Sequence, residues 1–208
     1  MAANATGTLA LLPGYVSSTF AFRRDLAQVR SSKLLLSCVC AAGGFVGALL
    51  LLATSDQAFR SLVPWLLLFA TALFAFAPQV QKRLQAVRTD RPLFVLGSLF
   101  LVSIYGGYFN GGLGIMLLAQ LSLSGMTGLN RMNALKNLFS SILTAVAVML
   151  YVAGGTIFWP QAAVMVVGAV SGGYTGVHVA RRIPAPWLRA LITAIGLAMA
   201  IAFLQQGA

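Results

Sequence analysis

Apolar residues fill most of this chain, and polar ones gather in short clusters between them. Seven apolar segments can be marked, at roughly 4–22, 34–54, 59–77, 93–122, 133–153, 160–180 and 187–205. Most approach the about 20 residues that carry an α-helix across a bilayer, so each predicts a membrane helix. Trp159 and Trp187 sit at segment starts, where interfacial indoles belong, and Pro160 falls at a first helical position, where its missing N–H costs little. The fourth segment breaks the pattern. It is too long for one ordinary span, and its middle reads YGGYFNGGLG, Tyr105–Gly114, five glycines and an asparagine in ten residues. Glycine adopts φ > 0 without a Cβ penalty, so this stretch predicts a break in the helix. Broken backbone is tolerated at membrane depth only where protein or a water-filled cavity covers it.

Composition agrees with the pattern. Of the 208 residues, 59% are hydrophobic and only 8% charged, against about a quarter charged in soluble domains. Mean hydropathy is +0.89. The chain reads as an all-α integral membrane protein. No basic n-region with a cleavage site marks a secretory signal at the start.

A repeat lies beneath the segments. GGFVGALL (43–50) resembles GGYTGVHV (172–179), and NAT (4–6) resembles NAL (133–135), both at an offset of 129 residues. The same shift relates Arg60 to Arg189, Leu62 to Leu191 and Phe74 to Phe203, with no gap. One transmembrane domain over 1–208 is expected, divided into a partial first repeat (1–79), a cytoplasmic linker (80–92) and a second repeat (93–208). The counterpart of the glycine-rich segment falls before Met1, so the first copy is expected to lack its opening element: either the chain is a fragment or its start codon is misplaced, or the lineage lost the element. The upstream coding frame is expected to hold an apolar, glycine-rich stretch, and a stop codon immediately upstream would argue against it.

Charge then fixes an expected orientation. The net charge is +11, from 14 Lys/Arg against three acids, Asp25, Asp56 and Asp90, none of them within a span. The basic residues sit in short loops, as they do in membrane proteins oriented by the positive-inside rule, which argues against nucleic acid as a partner. The loops 23–33 and 78–92 both carry clusters and are read as cytoplasmic. If segment 93–122 dips into the bilayer and returns, Arg131, Lys136, Arg181, Arg182 and Arg189 join them. Then 13 of the 14 basic residues face one side, and Arg60 alone is left out. The re-entrant arrangement is therefore preferred over a full crossing. It places three crossings between the two copies and makes them an inverted repeat, the usual build of a secondary transporter.

Two candidate sites follow. At the hairpin tip, Asn110, Gly111, Gly112 and Gly114 precede or open a half-helix. Its free N–H groups and positive dipole end suit an anion. Alternatively, those glycines only let helices pack closely, as the GGxxG stretches at 43–47 and 172–176 are expected to do. The second site is NALKNLFSS at 133–141, where Asn133, Lys136, Asn137 and Ser140 share one helix face. Lys136 either neutralises an anionic substrate or snorkels to the headgroups. Asn4, Thr6 and Thr8 form the related stripe in the first copy, and Gly7 stands where the second copy has Lys136.

His178, the single histidine, reads as structural rather than as a proton relay. Cys38 and Cys40 read as small packing residues, since two positions apart on a helix they point to different faces. No catalytic residue, cofactor or metal ligand set is expected, because the sequence has no enzyme motif and too few His and Cys.

YGGYFNGGLG, the following NALKN helix, and the GGYTG helix ending in ARRIP resemble the second half of the TauE/SafE family, the sulfite exporter-like membrane permeases. NATGTLALLPGYVSSTFAFRRDL resembles the second helix of that family's first half. The resemblance implies a bacterial inner-membrane permease for sulfite, sulfonates or other small anions, with Gly111, Gly112, Gly114, Asn133, Lys136 and Asn137 at its characteristic positions. The departure is the absent first glycine-rich element. The partners expected are a small anionic substrate and the lipid bilayer, with a homodimer as a further expectation. A non-transporting subunit or remnant, and an anion channel, are the competing classes.

Overall fold

The computed structural model describes residues 1–29, 33–86, 91–126, 128–180 and 185–206. Those residues form helices and short connections, in the order α1 (Ala2–Ala21), α2 (Arg23–Gln28), α3 (Lys33–Ala53), α4 (Asp56–Ala75), α5 (Ala77–Ala86), α6 (Pro92–Tyr108), α7 (Leu113–Leu123), α8 (Leu129–Ala153), α9 (Trp159–Ala180) and α10 (Ala185–Gln206). The all-α class is as expected. Among the described residues, Lys33–Ala53, Asp56–Ala75 and Asn130–Ala153 are long and apolar enough to cross a membrane, and α6 and α7 are shorter apolar helices.

Two stretches read from sequence as loops are instead partly helical. RRDLAQ forms α2 and APQVQKRLQA forms α5, the latter running through much of the supposed linker 80–92. Both are rich in Ala, Gln, Leu, Lys and Arg, which favour helix, but their polarity hides them from a search for apolar segments. Arg181 and Arg182 lie outside the described residues, and so does the side chain of His178.

The fourth segment is a helical hairpin. A Cβ placed on Gly106 of α6 would meet the Leu113 side chain, while Gln120 near the end of α7 donates from Nε2 to the Val95 carbonyl at 3.1 Å. Early residues of one arm thus meet late residues of the other. The arms run antiparallel, and their free ends open on the same side. Between them, Phe109–Gly112 form the tip. Asn110 has φ 63° and Gly112 φ 75°. Glycine takes that conformation freely, and asparagine is one of the few L-residues that visits it routinely.

The hairpin is seated by close backbone contact. A Cβ on Gly43 of α3 would lie 2.8 Å from the Phe100 carbonyl oxygen, and one on Gly47 would overlap the Ile104 carbonyl. Gly107 of α6 returns the contact against the backbone of Gly44. Without water to drive helices together, such close packing is the main force available in lipid. Tyr151 of α8 donates its hydroxyl to the Gly107 carbonyl. Leu113, Leu117, Phe139 and Leu143 are fully buried around the arms. Cys40 is buried in this packing as expected, whereas Cys38 is exposed.

The remaining long helices complete the bundle. α1 lies antiparallel to α8: Thr19 pairs with Ser141 at 2.9 Å, and Thr6 accepts from the Phe158 amide at 3.2 Å. α3 also packs on α8, α9 packs on α1, and α4 packs on α10. The Met1 amine reaches the exposed Asp56 carboxylate at 3.0 Å.

Candidate functional site

The hairpin tip opens on a cavity of about 420 Å³. Its walls are Phe109, Asn110 and Gly111 from the tip, Asn4, Gly7, Thr8 and Leu11 from α1, and Met165 and Ala169 from α9. The lining is largely apolar with a few polar groups, the usual make-up of a small-molecule site. Among the described residues, none that lines it is acidic or basic.

Several bonds fix the tip. Tyr105 donates its hydroxyl to the Gly111 carbonyl at 2.7 Å, and Phe69, Tyr105 and Phe109 stack edge to face beside it. Asn4 donates from Nδ2 to the Tyr108 carbonyl at 3.0 Å, which ties the first turn of α1 to the end of α6. Tyr15 reaches the Asn110 side-chain oxygen at 3.5 Å, a long and weak bond.

The donors at the tip are underused. Nδ2 of Asn110 is buried and has no acceptor among the described residues. The α7 helix begins at Leu113, and the amides of Gly111, Gly112 and Gly114 likewise find no acceptor among the described residues. An unsatisfied buried donor costs about 1–3 kcal/mol, so Nδ2 of Asn110 favours an acceptor from outside the chain.

The structure divides the sequence-derived candidates into groups. Asn110 and Gly111 line the cavity. Gly112 is the left-handed turn residue and packs on Ala70 of α4. Gly114 faces Lys136, whose Cδ lies 3.6 Å from where a Cβ on Gly114 would stand. Lys136 therefore lays its stem along the first turn of α7. Asn137 and Ser140 are buried on α8, and Asn133 is half-buried. The Ser140 hydroxyl and that of Thr144, one turn further on, have no partner among the described residues.

The α1 wall is what sequence reasoning did not place in the site. Its signal was present in the repeat. Asn4, Gly7, Thr8 and Leu11 stand 129 positions before Asn133, Lys136, Asn137 and Ser140. The first-copy stripe faces the tip of the second-copy hairpin. Tyr15 and Tyr105 carried no such signal.

A bundle of apolar helices, three of them among the described residues long enough to cross a membrane, built around a glycine-broken hairpin with a buried unpaired donor beside a cavity, is the build expected of a membrane transporter. The sequence model of the sulfite exporter TauE/SafE family matches residues 1–203, and the chain belongs to that family. It is 27% identical over 203 residues to the probable membrane transporter protein ORF9 of Sinorhizobium sp, a match covering 97% of this chain and 77% of that one. It is 28% identical over 173 residues to a probable membrane transporter protein of Haemophilus influenzae, covering 82% of this chain and 67% of that one. No solved structure matches it.

Proposed function

We propose that this chain is a multi-pass permease of the bacterial inner membrane that moves a small anion outward by secondary transport. The substrate class is sulfite, a sulfonate or a carboxylate. One observation carries the reading: Nδ2 of Asn110 is buried without an acceptor among the described residues, and with Gly111 it lines a cavity to which no described residue brings a carboxylate. Hydrogen bonds to a charged acceptor contribute about 1.5–3 kcal/mol each. The positive end of α7 adds about 0.3–1 kcal/mol. Lys136, stretched along the first turn of α7, supplies the counter-charge during passage. Asn133, Asn137 and Ser140 continue the polar face beyond it. The chemistry asks for binding and release, not bond-making, so no enzymatic activity is assigned.

Lys136→Ala is expected to abolish sulfite flux in proteoliposomes while the protein still elutes as a single folded species, and Lys136→Arg is expected to retain part of it. Unchanged flux in Lys136→Ala would remove the lysine from the mechanism. Counterflow with labelled sulfite is expected, as a carrier requires. Flux without counterflow would make the protein a channel.

Orientation can be tested separately. A cysteine introduced at Arg131 in a background lacking Cys38 and Cys40 is expected to react with impermeant maleimide only from the cytoplasmic side. Labelling from the periplasm would mean that 93–122 crosses the membrane after all.

A further inference from the structure

A second cavity, of about 240 Å³, lies toward the free ends of the hairpin arms and shares no wall with the one at Asn110. Leu73 of α4, Val80 of α5, Ser98 and Val102 of α6, and Met116 and Gln120 of α7 line it. Its walls are apolar except at Ser98 and Gln120.

Gln120 is only 5% exposed. Its Nε2 donates to the Val95 carbonyl at 3.1 Å and to the Ser124 hydroxyl at 3.2 Å. A carbonyl can only accept, so the nitrogen must face Val95 and the amide cannot be turned over. Oε1 is therefore the free end, and it is buried with no donor among the described residues. The hydroxyls of Ser98 and Ser124 cannot supply one, because they donate to the carbonyls of Val95 and Gln120. Buried acceptors are normally satisfied, and this one belongs to the wall of a cavity.

The cavity has two unlike ends. Ser98 and Gln120 mark the polar one. Val102 and Met116 stand one helical turn nearer the tip, and Phe69, whose ring lies 5.7 Å from that of Tyr105, walls that apolar end. Phe69 and Phe76 of the α4 side are 49% and 59% exposed, so the cavity fronts a surface suited to lipid. Beside the polar end runs α5, whose sequence APQVQKRLQA is short, polar and basic. Helices of that kind lie at a bilayer surface, among the headgroups.

We propose that this cavity holds a lipid of the bilayer that bears a hydroxyl, its chain along Val102, Met116 and Phe69 and its O–H donating to Oε1 of Gln120. The occupant joins the base of the hairpin to α4 and α5. The site stands on the cavity and the orientation of one amide, and it is independent of the anion reading.

The probe is an octanol carrying a diazirine, and its methyl ether is the matched molecule without the donor. The full chain in proteoliposomes is photolabelled, and labelled peptides are mapped by mass spectrometry. The alcohol is expected to label the α6 and α7 walls saturably, with about tenfold the affinity of the ether, as one hydrogen bond to a buried acceptor would give. In Gln120→Met, which keeps the side chain's length and removes the amide, alcohol and ether are expected to label alike. Leu123→Trp, which adds bulk to the wall, is expected to abolish saturable labelling by both. Leu101→Trp, on the exposed side of α6, is expected to leave it unchanged. Equal affinity of alcohol and ether for the parent protein would overturn the proposal, whether or not Gln120→Met folds. So would unsaturable label spread over the exposed helices. Cross-linking of Phe69→Cys to a second copy of the chain, in a background lacking Cys38 and Cys40 and with exclusion of the probe, would overturn it too, since the cavity would then belong to a dimer face.

Discussion

Gly47→Ala is expected to unseat the hairpin and with it all transport. The added methyl would occupy the space of the Ile104 carbonyl, with the Tyr108 amide nitrogen 2.9 Å away. Both obstacles are backbone in the middle and at the end of α6, so no side chain can rotate aside. Either α3 and α6 separate along their contact or the end of α6 distorts. Overpacking in a tight core costs about 1–3 kcal/mol where side chains can adjust, and this site cannot adjust that way, so about 3 kcal/mol or more is expected. The consequence reaches the tip. Tyr108 leads directly into Phe109–Gly112, and its carbonyl holds Asn4 of α1. The measurement is thermal unfolding in detergent together with flux, with Gly97→Ala as control. A Cβ on Gly97 meets nothing within 4 Å, so that variant is expected to unfold at the parental temperature or slightly above it. Parental stability in Gly47→Ala would mean that the two helices are not in backbone contact.

Asn110→Asp is expected to abolish flux without disturbing the backbone. Aspartate has the shape of asparagine and shares its tolerance for φ > 0, so the tip conformation at φ 63° is preserved. What changes is the chemistry at the buried Nδ2 position. A donor becomes an oxygen, and the neutral amide becomes a carboxylate with no basic residue lining its cavity. A buried unpaired ion costs several kcal/mol and repels an incoming anion besides. Asn110→Gly separates the two effects. It keeps the positive φ and removes the amide alone, so the loss should match one charge-assisted hydrogen bond, about 1.5–3 kcal/mol or roughly 10–100-fold in apparent affinity. Binding of sulfite measured calorimetrically across parent, Asn110→Gly and Asn110→Asp should therefore fall in that order. Equal affinity in all three would place the anion elsewhere.

The hairpin explains why these two changes are expected to be so severe. Gly47 and Asn110 belong to one unit. α3 fixes where α6 lies, α6 fixes where it ends, and the end of α6 decides where the free donors of α7 point. Tyr105 and Tyr151 reinforce that chain of contacts by bonding to the carbonyls of Gly111 and Gly107. A site made of backbone amides can only be as well ordered as the helices that hold the backbone still.

Much of this was legible along the chain. Apolar runs of bilayer length require helices, because in lipid each backbone group must find its partner nearby in its own segment. Five glycines within ten residues required a break at Tyr105–Gly114, and the structure breaks the helix at Phe109–Gly112. The glycines of 43–47 were expected to pack closely, and they do. At 172–176, Gly172 is exposed, and the side chains of 173–176 lie outside the described residues. α2 and α5 escaped notice because a polar helix leaves no apolar run.

What the sequence determined by itself was local: which segments are helical, where the fourth one breaks, and which polar residues share a face. Those follow from interactions between residues a few positions apart. Only the tertiary structure decided which stripe meets the hairpin tip. Asn4, Gly7 and Thr8 of α1 line its cavity, while Lys136 lies along the first turn of α7. Both stripes have the same spacing, so spacing could not choose between them. The choice was made by the antiparallel packing of α1 on α8 and by the glycine contacts that seat α6 on α3, and those distances do not exist until the chain has folded.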